Sequence, residues 1–244
     1  MISQLTKYYR AQGILPQDFH CKHYQDCKGD YPKFTKAKAS FIGTEYEKGR
    51  LPRLLIISLD PGNSSRLNRK RTILSVRKIT QSVDVLSLPK NRHWYRTHEI
   101  AWKLLHKIFE NTYGKEINVE KIAPYFAHLN TSKCCVHNPG RKQANARLFK
   151  NCSEYVPNEI EILNPDIIVT QGKLARESFE GAFEVVKEAK GDIRKYPCSY
   201  EILRINWKKV FVFHTYHPTN YGSFNNQRKK CFGKFANLVT EYFC

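Results

Sequence analysis

Acidic residues are scarce in this chain. Asp and Glu number 22 against 41 Lys and Arg, which leaves a formal charge of +19 over 244 residues and a pI near 9.6. So large a deficit points to a polyanionic partner, nucleic acid ahead of a membrane surface. Long apolar runs are also missing, since none approaches the roughly 18 residues needed to span a bilayer. The opening MISQLTKYYR has no apolar centre of the kind a secretory signal requires. These absences set the expectation of an intracellular, cytoplasmic protein with no membrane segment. Internal repeats and an evident linker are lacking too, so residues 1–244 read as one domain, with the polar segment of about residues 1–50 packed on it. Cysteine, in contrast, occurs eight times. In a reducing compartment that favours metal ligation or free thiols over a disulfide framework.

Two stretches far apart in the chain have the same form. LLIISLDPGNSS (Leu54–Ser65) and VFVFHTYHPTNYG (Val210–Gly222) each read as a buried strand running into a polar turn. The first turn delivers Asp60 and the second His217. Ligands bind at the carboxyl ends of strands in α/β sheets, so an acid and an imidazole placed there form a catalytic arrangement. AHLNTSKCC (Ala127–Cys135) reads as a third strand and brings Asn130 with a cysteine pair, and DIIVTQG (Asp166–Gly172) as a fourth. Helical patterns separate them: His98–Asn111, with Ile100, Leu104, Leu105 and Ile108 on one stripe, a stretch around Ala144–Leu163 broken or kinked at Pro157, one starting in KLARESF, and Lys229–Tyr242. The alternation predicts a three-layer α/β/α fold around a mainly parallel sheet of about four strands. His214, on the last strand, reads as a core histidine.

Asn63–Thr97 sets nine Lys and Arg, Arg69, Lys70 and Arg71 among them, against the single acid Asp84. Its periodicity is weak, so it reads as a long loop with one helical turn and as a DNA-facing surface. Each phosphate contact it makes would add about 0.9 to the log–log salt slope on duplex DNA. QRKK (Gln227–Lys230) is a second basic run. Among the cysteines, an N-terminal pair, Cys21 and Cys27, and a later group, Cys134, Cys135 and Cys152, flank the sheet. Four thiolates drawn from the two would suit an iron–sulfur cluster or a structural zinc.

In order and spacing these segments resemble the uracil-DNA glycosylase superfamily, most closely its iron–sulfur branch, over roughly residues 20–240. The branch has a strand ending in GEAPG, where this chain reads SLDPG. It then has an asparagine followed by KC (here NTSKC, Asn130–Cys134), a further cysteine (Cys152), an EIELL-like run (Glu159–Leu163), a proline and an apolar strand, and a last strand leading to HP (His217–Pro218). The resemblance implies a DNA glycosylase, monofunctional and monomeric, that flips a base from double- or single-stranded DNA and leaves an abasic site. Asp60 would support attack of water at the sugar, Asn130 would read the base edge and His217 would support the departing base. Cys21, Cys27, Cys134 and Cys152 would hold a 4Fe-4S cluster, with Cys135 as a rival to Cys134 and zinc as the alternative metal. Trp94 or Tyr95, just before the predicted helix, would stack on the base, and Asn220 and Tyr221 would tip the loop that enters the minor groove.

Gly62 stands where the best-known uracil-specific branch has a tyrosine that walls off the pyrimidine 5-position. Together with the enlarged basic segment, that opening leaves the expected substrate as uracil or a modified or damaged base, such as a hypermodified phage pyrimidine; the iron–sulfur branch also has glycine here and still excises uracil. Leu59, in the place of the GEAPG glutamate, keeps open a non-catalytic nucleic-acid binder.

Overall fold

The structure is a computed structural model that describes residues 1–30, 34–59, 61, 71–136, 146–188 and 192–244. Its central sheet contains strands Phe41–Ile42 (β1), Leu54–Ser58 (β2), Phe126–Asn130 (β3), Ile167–Gln171 (β4), Glu184–Lys187 (β5), Tyr200–Ile205 (β6) and Lys208–Thr215 (β7), in the order β1-β3-β2-β4-β7-β6-β5. The middle four, β3, β2, β4 and β7, are mutually parallel, and the outer three pair antiparallel.

Register lines up the carboxyl ends of the parallel strands. Ser58 sits opposite Asn130, Ile57 opposite Thr170, and Thr215 opposite Gln171. Strands β2, β3 and β4 are buried at every position, as the continuous apolar runs require of a sheet covered on both faces. One face carries Leu55, Ile57, Ile168 and Val212 against helices α1 (Ile2–Ala11) and α5 (Val156–Leu163), the latter following α4 (Ala146–Cys152). The other face carries Leu54, Ile56, Ile167, Val169 and Phe213 against α3 (His93–Tyr113) and α7 (Tyr221–Phe243), the short α6 (Lys173–Glu177) following β4. The three-layer expectation therefore holds, with seven strands rather than about four. The additional strands escape a search for apolar runs because β1 has only two residues, β5 is exposed throughout and β6 is half polar.

The basic segment is a larger correction. Helix α2 (Ile73–Gln81) occupies its middle and α3 begins at His93, so its described part is mostly helical. Thr72 caps α2 by accepting the Ser75 amide at 3.2 Å, and Ile73, Val76 and Thr80 face inward. Part of its positive charge is used internally: Arg77 pairs with Glu47 at 2.7 Å and Arg96 with Glu99 at 3.0 Å. In the second basic run, Gln227 is buried and Arg228 pairs with Glu99 at 2.6 Å. Helix α5 starts with Pro157 in its first turn, where the missing N–H costs nothing, and stops at Asn164 in the left-handed region (φ 47°). Helix α7 begins eight residues before the expected Lys229. Cys198 and Cys231 form a disulfide that ties the segment before β6 to α7, against the expectation of thiols throughout.

Helix α1 reaches the sheet through a buried polar network. Glu159, on α5, accepts from Tyr9 Oη at 2.8 Å and from Ser40 Oγ at 2.9 Å, and pairs with Lys133 Nζ at 2.6 Å. Both charged side chains are almost wholly removed from water. Removing one member of such a pair strands the other charge, at a cost of about 3–5 kcal/mol. Glu159→Ala should lower unfolding stability by that amount in urea titration; a loss below about 1 kcal/mol would contradict the arrangement.

Candidate active site and thiol cluster

Buried strand ends hold polar side chains only if those side chains bond to one another. Ser58, at the end of β2, donates to Gln171 Oε1 on β4 at 2.6 Å and meets His128 Nε2 on β3 at 2.8 Å. Gln171 also meets Thr97 of α3 at 3.3 Å. His93 opens α3, hydrogen-bonds the Gln171 side chain and stacks on His217 with ring centroids 5.1 Å apart. Asn130 is buried at the end of β3. His217 follows β7 and is half-buried.

The His217 ring is held in one tautomer. Its Nδ1 accepts from the Thr219 backbone N–H at 3.3 Å and lies 2.7 Å from Thr219 Oγ1. A backbone N–H only donates, so the ring proton belongs to Nε2. Gly172 (φ 102°) makes room for this loop, because a Cβ there would come within 3.2 Å of His217 Cβ and 3.7 Å of Leu59 Cδ2. Leu59 thus leans toward the His217 loop from the neighbouring strand.

Burial keeps the surrounding imidazoles neutral. It pushes the pKa of His93 down to about 3, with the adjacent His217 adding to the effect. It pushes His98 down to about 4, and lowers His128 well below 6.5 with help from the Lys38 charge. Trp94 packs edge-on against His98 and His128 at 5.0 and 5.1 Å, and Tyr95 is half-buried beside it. Asn220 and Tyr221 are exposed where α7 begins. Asp60, Gly62, Arg69 and Lys70 lie outside the described residues.

Arg71 departs from its expected place on a DNA-facing surface. It is 3 % exposed and donates from Nη1 to the Lys36 carbonyl at 2.9 Å, close to Cys134 and Cys135. His214, read as a core histidine, bonds Glu201 at 2.6 Å and Thr170 at 2.8 Å. The sequence reading missed His93, His128 and Gln171. Their signal is a polar residue inside or capping an otherwise apolar strand, together with a histidine opening the helix that faces it.

Cys21, Cys27, Cys134 and Cys152 line one small cavity. Cys135 instead directs its Sγ at the Val136 carbonyl, 3.6 Å away. Three of the four sulfurs have polar neighbours: the Lys133 amide donates to Cys152 at 3.4 Å, Asn151 Nδ2 donates to Cys27 at 3.3 Å, and Tyr155 Oη lies 3.5 Å from Cys21. Burial raises the pKa of Cys27, of Cys152 to about 12 and of Cys134 well above its usual value, the last also through the other three thiols. Four soft donors around a desolvated cavity, with N–H groups aimed at sulfur, fit a thiolate-held metal group. Among the described residues no three His, Cys, Asp or Glu side chains are grouped closely enough to hold a single ion.

A parallel sheet that gathers amides, neutral imidazoles and a loop histidine at its strand ends, on a strongly basic chain, defines an enzyme architecture suited to nucleic acid. The family model of the uracil DNA glycosylase superfamily matches residues 47–239, and the chain belongs to that superfamily. The family acts on DNA as base-releasing glycosyl hydrolases. The match takes in Asp60, Asn130, Cys134, Cys152 and His217 but begins after Cys21 and Cys27. No curated protein matches the chain. No helix among the described residues is long and apolar enough to cross a membrane.

The neutral histidines make stability depend on acid. His93 and His98 bind protons near 6.5 when unfolded but only near 3 and 4 when folded, so their contribution is complete above about 6.5 and is lost as the pH falls below it. The urea midpoint should hold steady from pH 8 to 6.5 and then drop, and His98→Gln should make that drop shallower. A midpoint unchanged down to pH 4.5 would refute the buried neutral state.

Proposed function

We propose that this protein is a DNA glycosylase that flips a modified or damaged base out of DNA and hydrolyses its N-glycosidic bond. What carries the reading is that Asn130 and His217 follow parallel strands to the same edge of the sheet, where a row of polar groups runs from His128 to His217, with the SLDPG sequence following the strand beside Asn130. When the bond breaks, positive charge develops on the sugar and negative charge on the base. Asp60 stabilises the cationic sugar and orients water, which adds at C1′. His217 donates from Nε2–H as a hydrogen bond to the departing base, an oxyanion-type role. Asn130 reads the base edge, and Trp94 or Tyr95 supplies the stacking face. The buried imidazoles add no charge of their own around the base.

The lack of a side chain at Gly62 and the number of basic residues that follow it in the sequence support a base larger than uracil. Arg69 and Lys70 with Asn220 and Tyr221 serve as DNA contacts, the latter pair at the loop that enters the minor groove. Cys21, Cys27, Cys134 and Cys152 hold a 4Fe-4S cluster, which supplies a cross-link between the N-terminal segment and the sheet and takes no part in base release. Zinc is the alternative occupant. Leu59 supports a second reading, a nucleic-acid binder on this fold without base release.

Asp60→Asn should abolish base release while retaining DNA affinity, measured on duplexes carrying uracil, hypoxanthine, or hydroxymethylated or glucosylated cytosine. Activity confined to uracil would remove the modified-base reading, and release by no base from the wild type would favour the binder. Broad visible absorbance with bound iron would identify the cluster over zinc. Replacing Arg69 and Lys70 with alanine should flatten the salt slope by about 1.8. Arg71→Ala, by contrast, should lower thermal stability and leave the slope unchanged.

A further inference from the structure

Lys38 has no part in the chemistry above, yet the fold brings it to the site. Strand β1 runs antiparallel to β3 with Phe41 opposite His128. Tracing back from Phe41 therefore leads past the carboxyl end of β3. There the Lys38 amide donates to the Lys133 carbonyl at 3.0 Å, and the next amide, Ala39, donates to the Arg71 carbonyl at 2.9 Å. The segment is thereby clamped from both sides, just beyond Asn130. The Lys38 side chain is half-buried, and its charge is felt at both His93 and His128. Among the described residues no carboxylate pairs with it. Its charged and titratable neighbours are Arg71, His93 and His128, and Lys133 also acts on His128. An ammonium with no carboxylate partner among the described residues, its charge acting on the two histidines nearest Asn130 and His217, lacks a partner that the reaction itself creates.

We propose that Lys38 is a further catalytic residue, whose ammonium contacts the base and holds the negative charge that leaves with it. In this step the C1′–N bond breaks with its electron pair going to the base, water oxygen bonds C1′, and the water proton passes to solvent by way of Asp60. Lys38 keeps its proton, and the released base is protonated from water. The inference rests on the glycosylase reading and adds a second leaving-base contact to His217. A fixed cation in a site otherwise kept neutral gains strength from the low local dielectric.

Burial and the Arg71 charge bring the Lys38 pKa down to about 8. The active ammonium form is thus present below that pH and is lost as the pH rises through it. His93 and His128 are neutral across this range and do not contribute to that limb.

The test is single-turnover base release between pH 6.5 and 10 on the best substrate of the duplex panel, with DNA affinity and thermal midpoint measured on each variant. Wild type should lose rate above about pH 8. Lys38→Met should fall roughly 100-fold at pH 7 with little change in DNA affinity, and should show no alkaline limb. Lys38→Arg should keep most of the rate and carry the limb beyond pH 10, an effect that a merely structural lysine would not produce. Wild-type rate in a folded Lys38→Met, or an unchanged alkaline limb in either variant, overturns the role of Lys38 and leaves the glycosylase reading standing. A wild type that releases no base overturns both.

Discussion

Everything functional here depends on the common register of the four parallel strands. Because Ser58 is level with Asn130, and Gln171 with Thr215, polar side chains that would be costly alone in a core meet across strand boundaries. Ser58 joins His128 to Gln171, and Gln171 joins Thr97 and His93 on the covering helix. A slip of one residue in any of these strands would reverse its side chains between the two cores and dissolve the row.

That row explains how a basic chain maintains a neutral pocket. The imidazoles are kept uncharged by burial, and apart from Lys38 the cations nearest the sheet are placed where each has a structural task. Arg71 fastens the segment preceding β1, Lys133 pairs with Glu159, and Arg96 and Arg228 share Glu99. The overall charge of +19 is therefore a poor map of where DNA is touched. Part of it is internal bracing, and long-range attraction is left to the side chains that remain in water.

The sequence disclosed the middle of the fold better than its edges. Leu54–Ser58 and Val210–Thr215 are apolar runs that only a doubly covered strand tolerates, so the four parallel strands were legible. Phe41–Ile42 and Glu184–Lys187 are strands by virtue of their neighbours and carry no pattern of their own. Helix α2 was hidden because Arg77 and Lys78 mask an inward stripe of Ile73, Val76 and Thr80. At the site, Asn130 and His217 were visible because motifs surround them. His93 was not, since its role comes from stacking on a residue more than a hundred positions away, a relation that local sequence does not encode. The grouping of Cys21 and Cys27 with Cys134 and Cys152 in one cavity is likewise a product of α1 and its following turn docking beside α5.

The hydrogen bond from Tyr9 to Glu159 closes a loop of 150 residues. During synthesis the first helix emerges from the ribosome long before its acceptor exists, and it must stay undocked while β2 and β3 are made. Long-range closure of this kind raises contact order and slows folding. The two N-terminal cysteines share that delay, since they cannot meet Cys134 and Cys152 until more than a hundred further residues have been made.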